Sequence, residues 1–330
     1  MTLTPGKLAG MKAVSDRRGV IAAAAMDQRG SLRKSLAKEK GAEITDAMME
    51  EFKVIVSDVL TRPASAILLD PEWGLPAAHA RQKGSGLLLA YEKTGYDAAT
   101  AGRLPDLLND WSVRRLKESG ADCIKILLYY TPTDSAAINR QKHAWVERIG
   151  DECIANDIPF FLELIGYEEG VDEKGIEFAK KKPEIVAASM AEFSKSRYGV
   201  DVLKLEVPIN MKFVEGASVC KGPAAYTRDE AKKLFLEAAK STNKPFIYLS
   251  AGVSNEEFTE TLALCAESGV KYSGVLCGRA TWKDGMPVYA KQGAKAFRDW
   301  MESVGVENIS NVNESLKSAT SWFPIYGVKG

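Results

Sequence analysis

The chain has 330 residues, enough to bury one large core or two smaller ones, and its 44 Lys and Arg balance 44 Asp and Glu. That balance excludes an overall basic field for nucleic acid or an anionic membrane, and no run reaches the length of a transmembrane helix. Five scattered cysteines with no CxxC point to reduced thiols. Two distant histidines, His79 and His143, disfavour an imidazole-rich zinc site, and Met1 to Gly6 lacks a signal-like apolar core, so the expected location is the cytoplasm.

Val20 to Met26 is a continuous apolar run ending in Asp27-Gln28-Arg29-Gly30, read as a first strand and a polar loop. Helical patterns follow over Ser31 to Lys40 and Thr45 to Arg62. Ser65 to Asp70 is a second strand, followed by Pro71-Glu72-Trp73-Gly74 and a Gly-rich polar segment with at most a short helix. Gly86 to Glu92 is a third strand, and Leu104 to Ser119 is an amphipathic helix stopped by Gly120. Ala121 to Tyr130 and Ile158 to Gly166 are strands four and five, with a helix over Ser135 to Asn156 between them. A helix over Lys182 to Tyr198 leads to strand six, Gly199 to Pro208.

Capping boxes at Thr227-Arg228-Asp229-Glu230 and Ser254-Asn255-Glu256-Glu257 open two more helices. Strand seven, Lys244 to Ser250, lies between them, and Tyr272 to Arg279 is strand eight. A helix over Val288 to Val304 follows, then an extension, 306–330, with a short helix and an aromatic end, Trp322 to Tyr326. Eight buried strands alternating with helices predict an α/β fold, a single (β/α)8 TIM barrel spanning 1–330 as one domain, with its core at about 20–305. No GxGxxG follows strand one, which argues against a dinucleotide-binding sheet.

Barrel active sites form at the C-terminal ends of the strands. Lys125, Glu163 and Lys204 come from three successive strands, each late in its apolar run. Alternation along strand six puts Lys204 and Glu206 on one face, so Glu206 competes at first as a simple ion partner. The three-strand set is better company for Lys204, and Glu206, one step nearer the rim, reads as support. A lysine amine has an ordinary pKa near 10.4 and is inert when protonated; burial and a neighbouring cation lower it. Schiff-base chemistry fits this set: Lys204 attacks a ketone, Lys125 is the neighbouring cation, and Glu163 moves protons with Asp27 as a second carboxylate. This route needs no metal and no cofactor. Ser250-Ala251-Gly252 and Gly278-Arg279, after strands seven and eight, supply small residues, backbone N–H groups and a guanidinium for a phosphate. Arg29 is a basic group for a second anionic end. Lys180-Lys181-Lys182 reads as a solvated face.

The chain resembles the class I tagatose-1,6-bisphosphate aldolases. The runs that carry the likeness are Asp27 to Gly30, Leu68 to Gly74, Leu87 to Tyr96, Lys125 to Tyr130, Phe160 to Glu163, Asp201 to Pro208, Tyr248 to Val253 and Gly274 to Trp282. The last is Gly-Val-Leu-Cys-Gly-Arg-Ala-Thr-Trp. The resemblance implies Lys204 as the Schiff-base lysine, Glu163 as acid/base, and Asp27 and Lys125 as the polar pair beside them. It implies Gln28, Arg29, Ser250, Gly252, Gly278 and Arg279 as substrate- and phosphate-binding residues. The implied reaction is reversible cleavage of D-tagatose 1,6-bisphosphate to dihydroxyacetone phosphate and D-glyceraldehyde 3-phosphate. Relaxed stereochemistry would extend it to fructose 1,6-bisphosphate, and the implied assembly is a homo-oligomer. A sister activity on 6-deoxy-6-sulfofructose 1-phosphate, giving sulfolactaldehyde, would share Lys204 and Glu163 and differ at the distal anion. A catalytically silent sugar-phosphate sensor is the rival from outside enzymes, and intact Lys204 and Glu163 argue against it.

Overall fold

The structure, a computed structural model, describes residues 2–93 and 100–329. Thr94 to Tyr96, the end of the run that begins in strand three, lie outside the described residues. The centre of the molecule is a closed barrel of parallel strands in the order β1 to β8: β1 (Ile21–Met26), β2 (Ala66–Leu69), β3 (Gly86–Ala90), β4 (Cys123–Tyr130), β5 (Phe160–Gly166), β6 (Val202–Leu205), β7 (Phe246–Leu249) and β8 (Gly274–Cys277). These runs lack a polar face because both faces are covered, as parallel sheets require. The side chains segregate into two cores. Ile21, Ala23, Ala25, Leu68, Leu88, Cys123, Phe161, Val202, Ile247 and Leu276 fill the inside of the barrel. The alternate residues pack outward against the helices.

The base of the barrel is closed from both ends of the sequence. A helix, Pro5–Ala13, brings Met11 into the inner core, and Trp322 and Tyr326 join it there. The Trp322 indole donates to Ser15 Oγ at 2.8 Å, and the Tyr326 hydroxyl donates to the carbonyl of Asp201 at 2.6 Å. Lys7 pairs with the Asp201 carboxylate at 2.7 Å. The aromatic end therefore covers the barrel of its own chain.

Some elements differ from expectation. The helix expected over 104–119 is confined to Val113–Glu118, capped by Ser112. The stretch before it is extended: Leu107 bridges Glu92, and Leu108 N–H donates to the Tyr91 carbonyl. Its spacing of apolar residues imitates a helix, but pairing with the chain after β3 wins. The helix expected over 182–198 runs Ile176–Phe193 and contains Pro183. Proline has no N–H for the carbonyl of Ala179, and the Tyr226 hydroxyl donates there instead. Lys182 is buried on this helix, not solvated, and pairs with Glu206 at 3.3 Å. Of the two expected capping boxes, that at Thr227 is complete, whereas Ser254 makes the forward half, accepting from Glu257 N–H. The helix expected over 288–304 is Met286–Trp300, broken at Gly293 and continued by a π turn, Met301–Gly305. No helix among the described residues is long and apolar enough to cross a membrane.

Candidate active site

The charged residues at the mouth obey one register rule. Ala25, Ala90, Cys123, Phe161 and Val202 all belong to the inner core. Two residues further along each chain stand Asp27, Glu92, Lys125, Glu163 and Lys204, so alternation aims all five into the barrel axis where its apolar filling stops. Lys204 is paired in register with Glu163, and Glu163 with Leu127, which puts Lys204 and Glu163 in one layer. Lys125 stands one inward position below Leu127 and reaches up to that layer.

Glu163 Oε2 lies 2.8 Å from the Lys204 amine and 2.7 Å from the Lys125 amine, so the two lysines share one carboxylate oxygen. Lys125 also donates to Glu92 Oε1 at 2.7 Å and to Asp27 Oδ2 at 2.9 Å. Its side chain is wholly buried and that of Lys204 is 4% exposed. Burial lowers the pKa of Lys125, but Asp27, Glu163 and Glu92 outweigh it and hold the ammonium well above the ordinary lysine range. Burial raises Asp27, and the Lys125 and Lys204 charges reverse this and hold its carboxyl well below the usual carboxylate range. Burial dominates at Glu92 and leaves its pKa raised despite Lys125 and Arg29.

The β7 and β8 ends form the second part of the site. Ala251 and Gly252 both have positive φ, +48° and +80°, in a sharp turn closed by the Val253 N–H, which donates to the Ser250 carbonyl at 3.0 Å. A Cβ on Gly252 would stand 2.7 Å from the Arg279 guanidinium carbon, so Arg279 lies directly across this turn. Lys283 donates to the Gly252 carbonyl at 3.0 Å. Gly278 lets the chain pass close to β1: its Cβ would meet the Ala25 carbonyl at 3.1 Å and the Gln28 amide nitrogen at 3.7 Å. Gln28 thus joins the β8 side, and its Oε1 is buried with no hydrogen-bond partner among the described residues. Ser250 is buried beside Cys277, whose thiol burial pushes up to about 12 against the opposing effects of Ser250 and Lys204.

Arg29 stands apart from the reading as an anion holder. It is 2% exposed; Nη1 pairs with Glu72 at 2.8 Å and Nη2 donates to the Glu92 carbonyl at 2.6 Å. Its guanidinium is turned inward as a tie between the loops after β1, β2 and β3. Glu206, outside β6, pairs with Lys182 and accepts from Gly166 N–H at 2.9 Å, away from Lys204. Sequence reasoning named Glu92 only as a strand end; its place two residues beyond the inner-core Ala90 was the signal for it. Lys53 and Lys283, each donating to backbone carbonyls of these loops, carry no such signal. No group of three or more His, Cys, Asp or Glu suited to a metal ion occurs among the described residues.

This geometry meets its relatives at the level of sequence and of fold. Residues 21–284 match the DeoC/LacD family aldolases. The chain is 55% identical over 324 residues to the tagatose 1,6-diphosphate aldolase 2 of Enterococcus faecalis, covering 98% of this chain and 97% of that protein. It is 54% identical over 327 residues to the tagatose 1,6-diphosphate aldolase of Listeria monocytogenes, covering 98% and 96%. Among solved structures, the fructose-bisphosphate aldolase from Plasmodium falciparum superposes with a TM-score of 0.67 at 15% identity, over 100% of this chain and 98% of that one, a likeness of fold. On the family match and the near-full-length identities together, the chain belongs to the DeoC/LacD family of aldolases.

Proposed function

We propose that the protein is a class I aldolase that cleaves D-tagatose 1,6-bisphosphate reversibly to dihydroxyacetone phosphate and D-glyceraldehyde 3-phosphate. The observation that carries the reading is the single Glu163 oxygen shared by Lys204 and Lys125. The named relatives at 54–55% identity support the substrate. Lys125, surrounded by three carboxylates, stays an ammonium, so Lys204 is the amine left to react. Lys204 Nζ attacks the C2 carbonyl, and Glu163 delivers the proton with which the carbinolamine hydroxyl leaves as water. The iminium draws the C3–C4 electrons as the C4 hydroxyl loses its proton, releasing the aldehyde. Protonation of the enamine at C3 and hydrolysis then return dihydroxyacetone phosphate and the free amine. The Asp27–Lys125 pair keeps fixed charges beside these steps at no reorganisation cost. The carboxylates that could ligate a metal are turned onto Lys125 instead, which supports a metal-independent route.

Ser250, Gly252, Gly278, Arg279 and Gln28 hold the phosphate next to C1 in this reading. The inward turn of Arg29 gives it a supporting part, so the distal anion meets another group at the rim. Borohydride with dihydroxyacetone phosphate is expected to label Lys204 and abolish activity, EDTA to leave activity unchanged, and Lys204→Ala to abolish both labelling and turnover. Label on another lysine refutes the assignment. Comparing kcat/KM on tagatose 1,6-bisphosphate, fructose 1,6-bisphosphate and 6-deoxy-6-sulfofructose 1-phosphate ranks the substrates, and preference for the last overturns the bisphosphate reading.

A further inference from the structure

Lys53 belongs to no motif, and the chemistry above does not use it. It lies in the helix Asp46–Leu60, on the face packed against the barrel, with no exposed surface. An ammonium withdrawn from water is costly unless its protons find oxygens. Here three protons find three: the Met26 carbonyl at 2.9 Å, the Gln28 carbonyl at 2.8 Å and Asp70 Oδ2 at 2.5 Å. The other Asp70 oxygen accepts from the N–H groups of Glu72 and Trp73. One amine therefore ties the loop after β1 to the loop after β2.

The position of the two carbonyls is what matters. The β1–β2 register ends at Met26, so the chain beyond it has left the sheet. Met26 and Gln28 are the residues on either side of Asp27. Asp27 faces Lys125, and the Gln28 amide stands beside Gly278. A lysine needed only to neutralise Asp70 would require one contact. The other two fix the backbone of the residues that link the reacting cluster to the phosphate turn.

We infer that Lys53 is a positioning residue for the aldol reaction: by clamping the carbonyls that flank Asp27, it sets where the Asp27 carboxylate and the Gln28 amide stand. The inference rests on the function proposed above. Asp27 is held by its own backbone and by Lys125, and loss of the clamp lets that backbone shift. A displacement near 1 Å in such a group costs on the order of 100-fold in rate.

The test uses Lys53→Met and the double variant Lys53→Met/Asp70→Asn, which removes both buried charges while keeping an oxygen for Glu72 and Trp73. Folding is read by circular dichroism and thermal melting. Lys204 is trapped with dihydroxyacetone phosphate and borohydride, and kcat and KM are measured for cleavage. The expected result is a folded double variant that, at saturating dihydroxyacetone phosphate, traps at Lys204 within about threefold of wild type while kcat falls about 10- to 100-fold, and KM rises by a smaller factor as the Gln28 amide shifts. General loosening of the barrel would not separate trapping from cleavage. A folded variant with kcat within about threefold of wild type overturns the inference. So does a parallel loss of trapping and kcat, or failure of both variants to fold, which would make Lys53 a requirement of the fold alone. If wild type itself does not label, the proposed function fails and takes this inference with it; labelled wild type with an unaffected variant sinks this inference alone.

Discussion

Replacing Lys125 with Met leaves a side chain of similar length and removes the cation from three carboxylates. The ion pairs it breaks span 2.7, 2.7 and 2.9 Å. At that separation each pair is worth about 6 kcal/mol at an effective dielectric near 20, most of it offset by taking the groups out of water. Removing one partner of a buried pair costs about 3–5 kcal/mol, and three carboxylates on one amine place this variant at the upper end. The pH dependence carries a sign that separates charge from packing. In wild type, Asp27 has a depressed pKa, so its contribution is present above its unfolded value and lost as pH falls through the native one. Without Lys125, burial is the largest remaining influence on Asp27 and raises Glu92 further. The folded variant then binds more protons than the unfolded chain, and its stability falls as pH rises from about 5 to 8. Every tenfold loss of acidity at these carboxyls on folding contributes about 1.4 kcal/mol to that fall. Urea unfolding followed by tryptophan fluorescence, with Trp282 and Trp322 buried, measures it across this range. A destabilisation below about 1 kcal/mol at neutral pH, or a variant curve parallel to wild type, refutes the reasoning.

Gly252→Ala forces an alanine to φ +80° and drives its methyl into the Arg279 guanidinium. About 1–2 kcal/mol of stability is expected to be lost. KM for the phosphorylated ketose should rise about tenfold or more with a smaller change in kcat, and steady-state kinetics with KM unchanged would remove Arg279 and this turn from the phosphate site. Trp322→Ala empties the base of the barrel and should cost about 3–5 kcal/mol in urea unfolding while the folded fraction keeps its kcat. A loss of turnover at full folding would mean that the base is coupled to the mouth.

The strands were legible because a parallel barrel buries both faces and leaves uninterrupted apolar runs such as Ile21–Met26. The site was legible for the same reason. A lysine or glutamate in such a run is conspicuous, and Lys125, Glu163 and Lys204 stood out by position alone. The partners of Arg29 were not legible, because a basic residue in a polar loop looks free and only the fold brings Glu72 and the Glu92 carbonyl to it. Lys53 was invisible for the opposite reason: one lysine in an amphipathic helix looks solvated until the helix docks. Leu107 and Leu108 have helical spacing, but their partners lie on the segment after β3, which no local window contains.

The aromatic floor of the barrel also bears on the order of assembly. A growing chain that has emerged through Cys277 already holds all eight strands, yet the inner core still lacks Trp322 and Tyr326. Until they arrive, Ile21, Phe161 and Val202 border an open base, and Asp201, at the start of the strand that carries Lys204, lacks the Tyr326 hydroxyl on its carbonyl. The segment 322–326, which follows all eight strands in the sequence, therefore completes the packing beneath the strand that carries Lys204. The strands can thus pair before the floor is laid, and the floor then adds stability beneath a mouth whose residues come from other parts of the chain.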